Sequence, residues 1–313
     1  MSTLKPQKNT PVNFADLYKL GSVAPLHSNH YTYFERYKTE CHNLVKIPLT
    51  NQFSKDLLEH FSLAPDKNSR KFLNSVVVDF DAKTKTICLW VSNGTYLLKS
   101  KLDVEFTGGE ESFRYVIPKA NALISFIKSL GKGETATLEL TTNHCKLVSN
   151  DKILICSLQP NDDYNTVLNR FSSELDYCEV KIKLPKTEIV QFLDSKNSLK
   201  PFCLTECKEI KDAFDSLVAQ LEFDATMNKM MARFMFKSNN ELNSKLPYKP
   251  LEVFIEDVRN YKLGFNCGYL ETCLNHIGDV VFLGAAATQT PLHVFLFNSD
   301  KSKLAILMLT DIT

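Results

Sequence analysis

The order strand, helix, three strands is written four times along this chain, and that repetition limits the fold more than any other feature. In the clearest copy, Phe113–Ile117 is a short extended run closed by Pro118. Ala120, Leu123, Ile124, Ile127 and Leu130 then recur at helical spacing. Three short strands follow at Thr135–Leu140, Cys145–Val148 and Ile153–Leu158, separated by the polar turns 141–144 and 149–151. An earlier copy opens at Val45–Pro48, with a helix carrying Phe53, Leu57 and Phe61. Its strands are Ser75–Phe80, Thr86–Ser92 and Thr95–Phe106, and Asn93-Gly94 gives a two-residue hairpin signal. A third opens at Val180–Pro185, with Ile189, Val190, Phe192 and Leu193 on its helix and strands Leu217–Phe223, Lys229–Phe236 and Leu251–Glu256. The fourth opens at Tyr261–Phe265, groups Leu270, Cys273, Leu274 and Ile277, and ends in Val280–Ala285, Leu292–Phe297 and Leu304–Leu309.

One such unit cannot cover its own sheet, so two per domain is the natural solution. The polar stretch from Gln159 to Tyr177, with Pro160-Asn161-Asp162-Asp163, reads as the link between domains. The expected organisation is an N-terminal extension at 1–42, a domain at 43–160, a connector at 161–177 and a second domain at 178–313. Residues 1–11 are polar, 12–20 fit a short amphipathic helix, and 201–216 is an irregular insert.

Catalysis finds little support. Gly131-Lys132-Gly133-Glu134-Thr135 looks like a phosphate loop, but it follows a helix instead of preceding one. Phe126 holds the upstream glycine position, and Gly133 stands where Ser or Thr is required. Gly131 is expected to stop the helix in a left-handed conformation. No H-E-x-x-H, G-x-S-x-G or dinucleotide fingerprint occurs. Cys203 and Cys207, even with Cys41-His42, lack a second matched pair for zinc. Asp162-Asp163 reads as a turn. No metal and no cofactor are expected. The nine cysteines, several inside apolar runs, suit reduced and buried thiols. The net charge of +1 means that any nucleic-acid contact must come from local placement. With no apolar signal core and no run of 18 apolar residues, the expectation is a soluble intracellular protein, cytoplasmic or nuclear, with no membrane partner.

With four units laid out, the chain resembles the DNA sliding clamps, the processivity factors of replicative polymerases. Residues 116–167, VIPKANALISFIKSL followed by ETATLELTTNHCKLVSNDKILICSLQPNDDYNTV, are similar to a domain end of the bacterial clamp. Residues 290–313, TPLHVFLFNSDKSKLAILMLTDIT, are similar to the C-terminus of proliferating cell nuclear antigen. The resemblance covers about residues 43–313, and a viral clamp suits its divergence. It implies an α+β clamp fold, four βαβββ units in two domains, with helices lining the inside of a ring. Closed rings of this family contain six domains, so a two-domain chain would form a homotrimer. The ring would encircle double-stranded DNA without reading its sequence. It would hold a DNA polymerase and a clamp loader through short apolar peptide motifs, with no catalysis. The alternatives are a monomeric clamp-fold accessory protein that binds DNA directly, and a non-DNA interaction protein of repeated α+β units.

If helices line a channel, their outward faces should be polar and net basic. By that resemblance the DNA-facing candidates are Lys55, Lys119, Lys128, Lys132, Lys186, Lys196 and Lys200. The second helix region is clearly basic, whereas Asp56 and Glu59 in the first, and Glu271 in the fourth, offset much of the total. Lys67, Arg70 and Lys71 read as a solvated loop. The resemblance also implies a partner-peptide pocket beside the connector and the C-terminal tail. Its expected walls are Leu158, Tyr164, Val167 and Leu168, then Pro291, Leu309, Thr310 and Ile312, with Val91 and Tyr96 completing it; a competing reading has these side chains only sealing the domain interface.

Overall fold

The computed structural model describes residues 44–66, 71–131, 133–150, 152–159, 165, 168, 171, 180–199, 217–224, 226–227, 229–235, 249–252, 254–255, 260–285 and 292–310. The N-terminal extension, the 201–216 insert, Cys41, His42, Cys203, Cys207, Lys67 and Arg70 lie outside them. The first unit supplies β1 (Val45–Pro48), α1 (Asn51–Leu63), β2 (Ser75–Asp81), β3 (Thr86–Ser92) and β4 (Tyr96–Leu102). A two-residue strand, β5 (Thr107–Gly108), precedes the second unit. That unit has β6 (Phe113–Pro118), α2 (Asn121–Lys128), β7 (Ala136–Leu140), β8 (His144–Ser149) and β9 (Ile153–Ser157). The third has β10 (Val180–Leu184), α3 (Lys186–Asp194), β11 (Val218–Asp224), β12 (Lys229–Met235), β13 (Lys249–Glu252) and β14 (Phe254–Ile255). The fourth has β15 (Tyr261–Asn266), α4 (Cys267–Ile277), β16 (Val281–Ala285), β17 (His293–Phe297) and β18 (Lys303–Met308).

Units pair by exchanging their opening strands, and each such pair, the first with the second unit and the third with the fourth, is termed a domain below. β1 leaves its own unit and pairs with β7, while β6 crosses back to pair with β2. The second domain repeats this, with β10 on β16 and β15 on β11. Each unit's sheet is therefore completed by the other unit. The predicted strand at Leu251–Glu256 divides for a related reason: β13 continues the sheet of β12, whereas β14 joins β10.

A second consequence of the topology is a junction between domains. β4, the last strand of the first unit, pairs antiparallel with β18, the last strand of the fourth. This fuses two half-sheets into one of nine strands, in the order β14-β10-β16-β17-β18-β4-β3-β2-β6. The flanking sheets are β5-β1-β7-β8-β9 and β13-β12-β11-β15.

Apolar periodicity places the helices. Phe53, Leu57 and Phe61 of α1 and Leu123, Phe126 and Ile127 of α2 bury into one core with Ile47, Val78, Leu89 and Leu138. Ile189, Phe192 and Leu193 of α3 and Leu270, Cys273, Leu274 and Ile277 of α4 form the second, with Phe192 stacked on Phe234 at 4.1 Å. Ala64, Val91, Tyr96 and Leu98 of the first domain also belong to that second core, so the junction is an apolar seam as well as a ladder. Met230 and Met235 are core residues, while Met227 sits exposed at a turn. Among the described cysteines, Cys88, Cys145, Cys156, Cys267 and Cys273 are free; burial pushes the Cys267 thiol up to about 12.

The Gly131 expectation is corrected. α2 stops at Lys128, Ser129 Oγ donates to the Phe126 carbonyl at 2.8 Å, and Glu134 accepts from the Gly131 amide at 2.9 Å. The left-handed residue in this turn is Gly133, at φ 89°. The stretch is a turn into β7. A hairpin forms at Asn93-Gly94, but its register differs from the expected two-residue loop: Ser92 pairs with Leu97, Gly94 takes φ 94°, and Asn93 Oδ1 accepts from the Thr95 and Tyr96 amides.

Candidate nucleic-acid interface and partner surface

The two helices of each domain differ in how they are capped, and this decides where the lysines go. α1 has Thr50 accepting from the Phe53 amide, and α4 has Asn266 accepting from Gly268 and Tyr269. α2 and α3 have no side-chain N-cap bond. Each instead starts at or just after a Pro-Lys pair, Pro118-Lys119 or Pro185-Lys186. Lys119 Nζ donates to the carbonyl of Ala64, the residue that closes α1, at 2.6 Å and also contacts Asp66 at 2.7 Å. Lys186 Nζ donates to the carbonyl of Gly278, the residue that closes α4. An ammonium at a helix C-terminus satisfies an orphan carbonyl and the negative end of the dipole together.

Lys119 and Lys186 therefore fasten paired helices together. Lys196 is also engaged, 3.3 Å from Glu271. Lys132 and Lys200 lie outside the described residues. That leaves Lys55 and Lys128, both exposed on the first domain's helices and in no ion pair among the described residues. Beside them stand the exposed neutral Asn51, Gln52, Asn121 and Ser125, whereas α3 exposes Glu188 and Asp194. The basic face thus falls on the first domain. Lys119→Met and Lys186→Met are each expected to lower stability by about 1–2 kcal/mol, the cost of a lost charged hydrogen bond and an orphaned carbonyl. Lys55→Met and Lys128→Met should change it by less than about 0.5 kcal/mol, as surface substitutions do. Urea unfolding of the four variants checks this, and equal effects in both pairs would contradict it.

α1 and α4 meet at the junction, where each buries a histidine from its last turn. The His60 and His276 rings stand edge-on with centroids 5.6 Å apart. His60 Nδ1 bonds the Asp56 carbonyl at 2.8 Å, and His276 Nε2 bonds the Lys99 carbonyl of β4 at 3.0 Å. The other ring nitrogens have no hydrogen-bond partner, and Glu59 lies 3.8 Å from His276 Nδ1. Desolvation first, and then nearby His276, push His60 down to about 4. Nearby His276 also holds the Glu59 carboxyl below its usual range, against the opposing effect of its burial.

The face of the nine-stranded sheet opposite the helices carries a third apolar cluster. Val77, Cys88, Trp90, Leu97, Val116, Phe295, Phe297, Leu304 and Ile306 form it, and two connector residues, Leu168 and Phe171, pack on it. Leu168 is wholly buried. Phe171 stands edge-on to His293 at 5.2 Å, and Arg114, paired with Asp79 at 3.0 Å, donates to Asn165 Oδ1 at 3.1 Å.

Of the expected pocket walls, Leu168 alone among the described ones is on this face. Val91 and Tyr96 point the other way, into the second core, where the Tyr96 hydroxyl donates to the Leu63 carbonyl. Leu309 packs against that same core, and the Thr310 amide donates to Gly264 of β15 at 2.8 Å. Leu158 packs on the first domain's core. Tyr164, Val167, Pro291 and Ile312 lie outside the described residues. Strand parity separates these side chains. β3 is covered on both faces, so its apolar run gives no alternation, and Trp90 rather than Val91 turned outward. Sequence reasoning missed Trp90, Leu97, Phe295 and Phe171. The one available signal was the single tryptophan, a residue needing extensive burial.

Units that exchange their opening strands in pairs, helices packed in pairs and an edge-to-edge β4–β18 pairing define a clamp-type architecture. Solved structures bear this out. The Helicobacter pylori β clamp bound to a DNA ligase peptide matches with a TM-score of 0.62 and 15% identity, over 86% of this chain and 66% of that one. The DNA polymerase III subunit β of Pseudomonas aeruginosa matches at 0.62 and 14%, over 85% and 66%. That of Thermotoga maritima matches at 0.62 and 16%, over 86% and 66%. The chain has the sliding-clamp fold, and it spans just under two thirds of the length of these proteins. No protein-family model matches it, and no curated protein matches its sequence. Among the described residues no group of His, Cys, Asp or Glu is arranged for a metal, and no helix is long and apolar enough to cross a membrane.

Proposed function

We propose that this chain is a non-catalytic, intracellular sliding clamp that closes into a homotrimeric ring around duplex DNA and tethers a polymerase. The observation that carries this is the fate of the last strand of four or more residues in each unit, β4, β9, β13 and β18. β4 and β18 pair within the chain, whereas no described strand covers the outer edges of β9 and β13. β9 is no ordinary protected edge: Ile153 is 54% exposed and Leu154, Ile155 and Cys156 are half-buried. An open apolar edge is a hazard unless it is paired. β9 of one copy on β13 of the next would repeat the β4–β18 junction, and head-to-tail contacts of this kind close into rings. With two domains per chain, three copies make the six-domain ring that the resemblance implies.

In that ring the paired helices face DNA, with Lys55 and Lys128 as the cations in no ion pair among the described candidates, and the Trp90 face is the partner surface for short apolar peptides of a polymerase and a clamp loader. Phosphate contacts from a modest number of lysines give weak, salt-sensitive direct binding, so retention would be topological. The test is retention on nicked circular DNA after loading, followed by linearisation. Protein released only on linearisation is the expected result, with Lys55→Glu/Lys128→Glu reducing loading. Equal retention on linear and circular DNA would mean an open, direct binder and would overturn the proposal.

A further inference from the structure

Cys145 and Cys156 face each other across β8 and β9, the one place among the described strands where two cysteines share a register pair. The Leu158 amide donates to the Asn143 carbonyl and the Ser149 amide to the Lys152 carbonyl, both at 2.9 Å. By the same alternation Cys145 and Cys156 are a hydrogen-bonded pair, whose Cα atoms stand about 5.5 Å apart. That is inside the roughly 4.4–6.8 Å that a disulfide spans. The Cβ atoms of such a pair are about 4.5–5.5 Å apart, whereas a disulfide needs about 3.8 Å. Closing the bond therefore draws the strands together by about 1 Å. A central strand would resist this. β9 is the last strand of its sheet, with no described strand on its far side, so it can yield. Access to the two sulfurs differs. Cys145 is wholly buried, whereas Cys156 is half-buried and packs with Leu154 and Leu158 at the border of the first core.

We infer that Cys145 and Cys156 are a peroxide-oxidisable thiol pair, which closes a reversible cross-strand disulfide and fastens the edge strand β9 to its sheet. Cys156, the more accessible partner, reacts first. Its sulfur attacks hydrogen peroxide, an S–O bond forms, the O–O bond breaks, and hydroxide leaves with the thiol proton as water. Cys145 Sγ then attacks the Cys156 sulfur. The S–S bond forms, the S–O bond breaks, and hydroxide leaves with the Cys145 proton as a second water. Two thiols are oxidised and one peroxide is reduced. Burial pushes both thiols above the ordinary cysteine value, so the pair is slow and answers to sustained oxidant. The contraction at Cβ leaves the bond strained, and strained disulfides are readily reduced. In a reducing compartment that is the behaviour of a redox sensor, not of a structural staple. β9 is also the edge proposed to meet β13 of a second copy, yet the chemistry needs one chain only.

The experiment exposes the full chain to hydrogen peroxide, blocks the remaining thiols by alkylation and maps non-reduced tryptic peptides by mass. Cleavage after Lys146 and Lys152 separates the two cysteines, so a linked pair of peptides reports the bond. The link should grow with peroxide dose and vanish on treatment with dithiothreitol. Backbone amides of Ile153–Ser157 should exchange with deuterium at least about tenfold more slowly in the linked form. Cys156→Ser should abolish the link and leave Cys145 a thiol. Cys145→Ala should carry Cys156 on to the sulfinic acid, because no second thiol resolves the sulfenic acid. If Cys145→Ala does not fold, wild type and Cys156→Ser, at the half-buried position, decide between them. Three results would each overturn the inference: both thiols staying reduced while other cysteines oxidise, Cys156 linked to a different cysteine, or a linked form whose β9 amides exchange as fast as before.

Discussion

Replacing Ile306 with proline is expected to uncouple the two domains and to cost at least about 3 kcal/mol, combining a lost ladder bond with a lost buried side chain. The Met308 amide donates to the Thr95 carbonyl at 3.0 Å and the Lys101 amide to the Ser302 carbonyl at 2.7 Å. That parity turns the Ile306 amide toward β4, so proline there deletes a bond of the inter-domain ladder. Ile306 itself is 2% exposed in the cluster around Trp90. Because first-domain residues Val91, Tyr96 and Leu98 sit within the second core, wild type should unfold in a single urea transition. The proline variant should show two, whereas Ile306→Val, which keeps the bond, should lose only about 0.5–1.5 kcal/mol and stay cooperative. A single transition in the proline variant would mean that the junction does not couple the domains.

Acid should weaken the same junction. His60 has a folded-state value of about 4, below the 6.5 of an unperturbed histidine. A depressed value means that the neutral ring contributes stability that is fully present above pH 6.5 and is lost as the pH falls toward 4. The amount is about 3 kcal/mol from a shift of this size. The groups facing His60 are His276, Glu59, the Asp56 carbonyl and, at longer range, Lys303. None of them offers the second ring nitrogen a bond. His60→Phe keeps the ring volume and removes the titration. Unfolding free energies measured from pH 7 to 4 should fall more steeply in wild type than in His60→Phe, the gap closing by about 3 kcal/mol. Parallel curves would show that His60 is not held neutral by its burial.

The units were legible because each helix has one apolar stripe, as Phe53, Leu57 and Phe61 or Leu270, Cys273 and Leu274 show, and because Asn93-Gly94 marks a turn on its own. Strand exchange was not legible, since Val45-Lys46-Ile47 has the same alternation whether it pairs with β2 or with β7. Faces were lost where strands are covered on both sides, which is why Val91 was chosen over Trp90. Lysine roles were lost for another reason. A lysine near a helix start reads as a surface cation, and only tertiary packing reveals that Lys119 and Lys186 reach the far ends of neighbouring helices. The repeated Pro-Lys at two strand–helix boundaries was the overlooked clue.

The claim that β9 and β13 join copies of this chain meets its most direct test in the solution mass at micromolar concentration, by light scattering coupled to size exclusion. A chain of 35.6 kDa closing head to tail into a three-copy ring should give about 107 kDa, independent of dilution over the micromolar range. Ile153→Asp, on the exposed apolar edge of β9, should return the mass to that of a monomer without unfolding the chain. A wild-type protein that stays at 35.6 kDa throughout would contradict the ring.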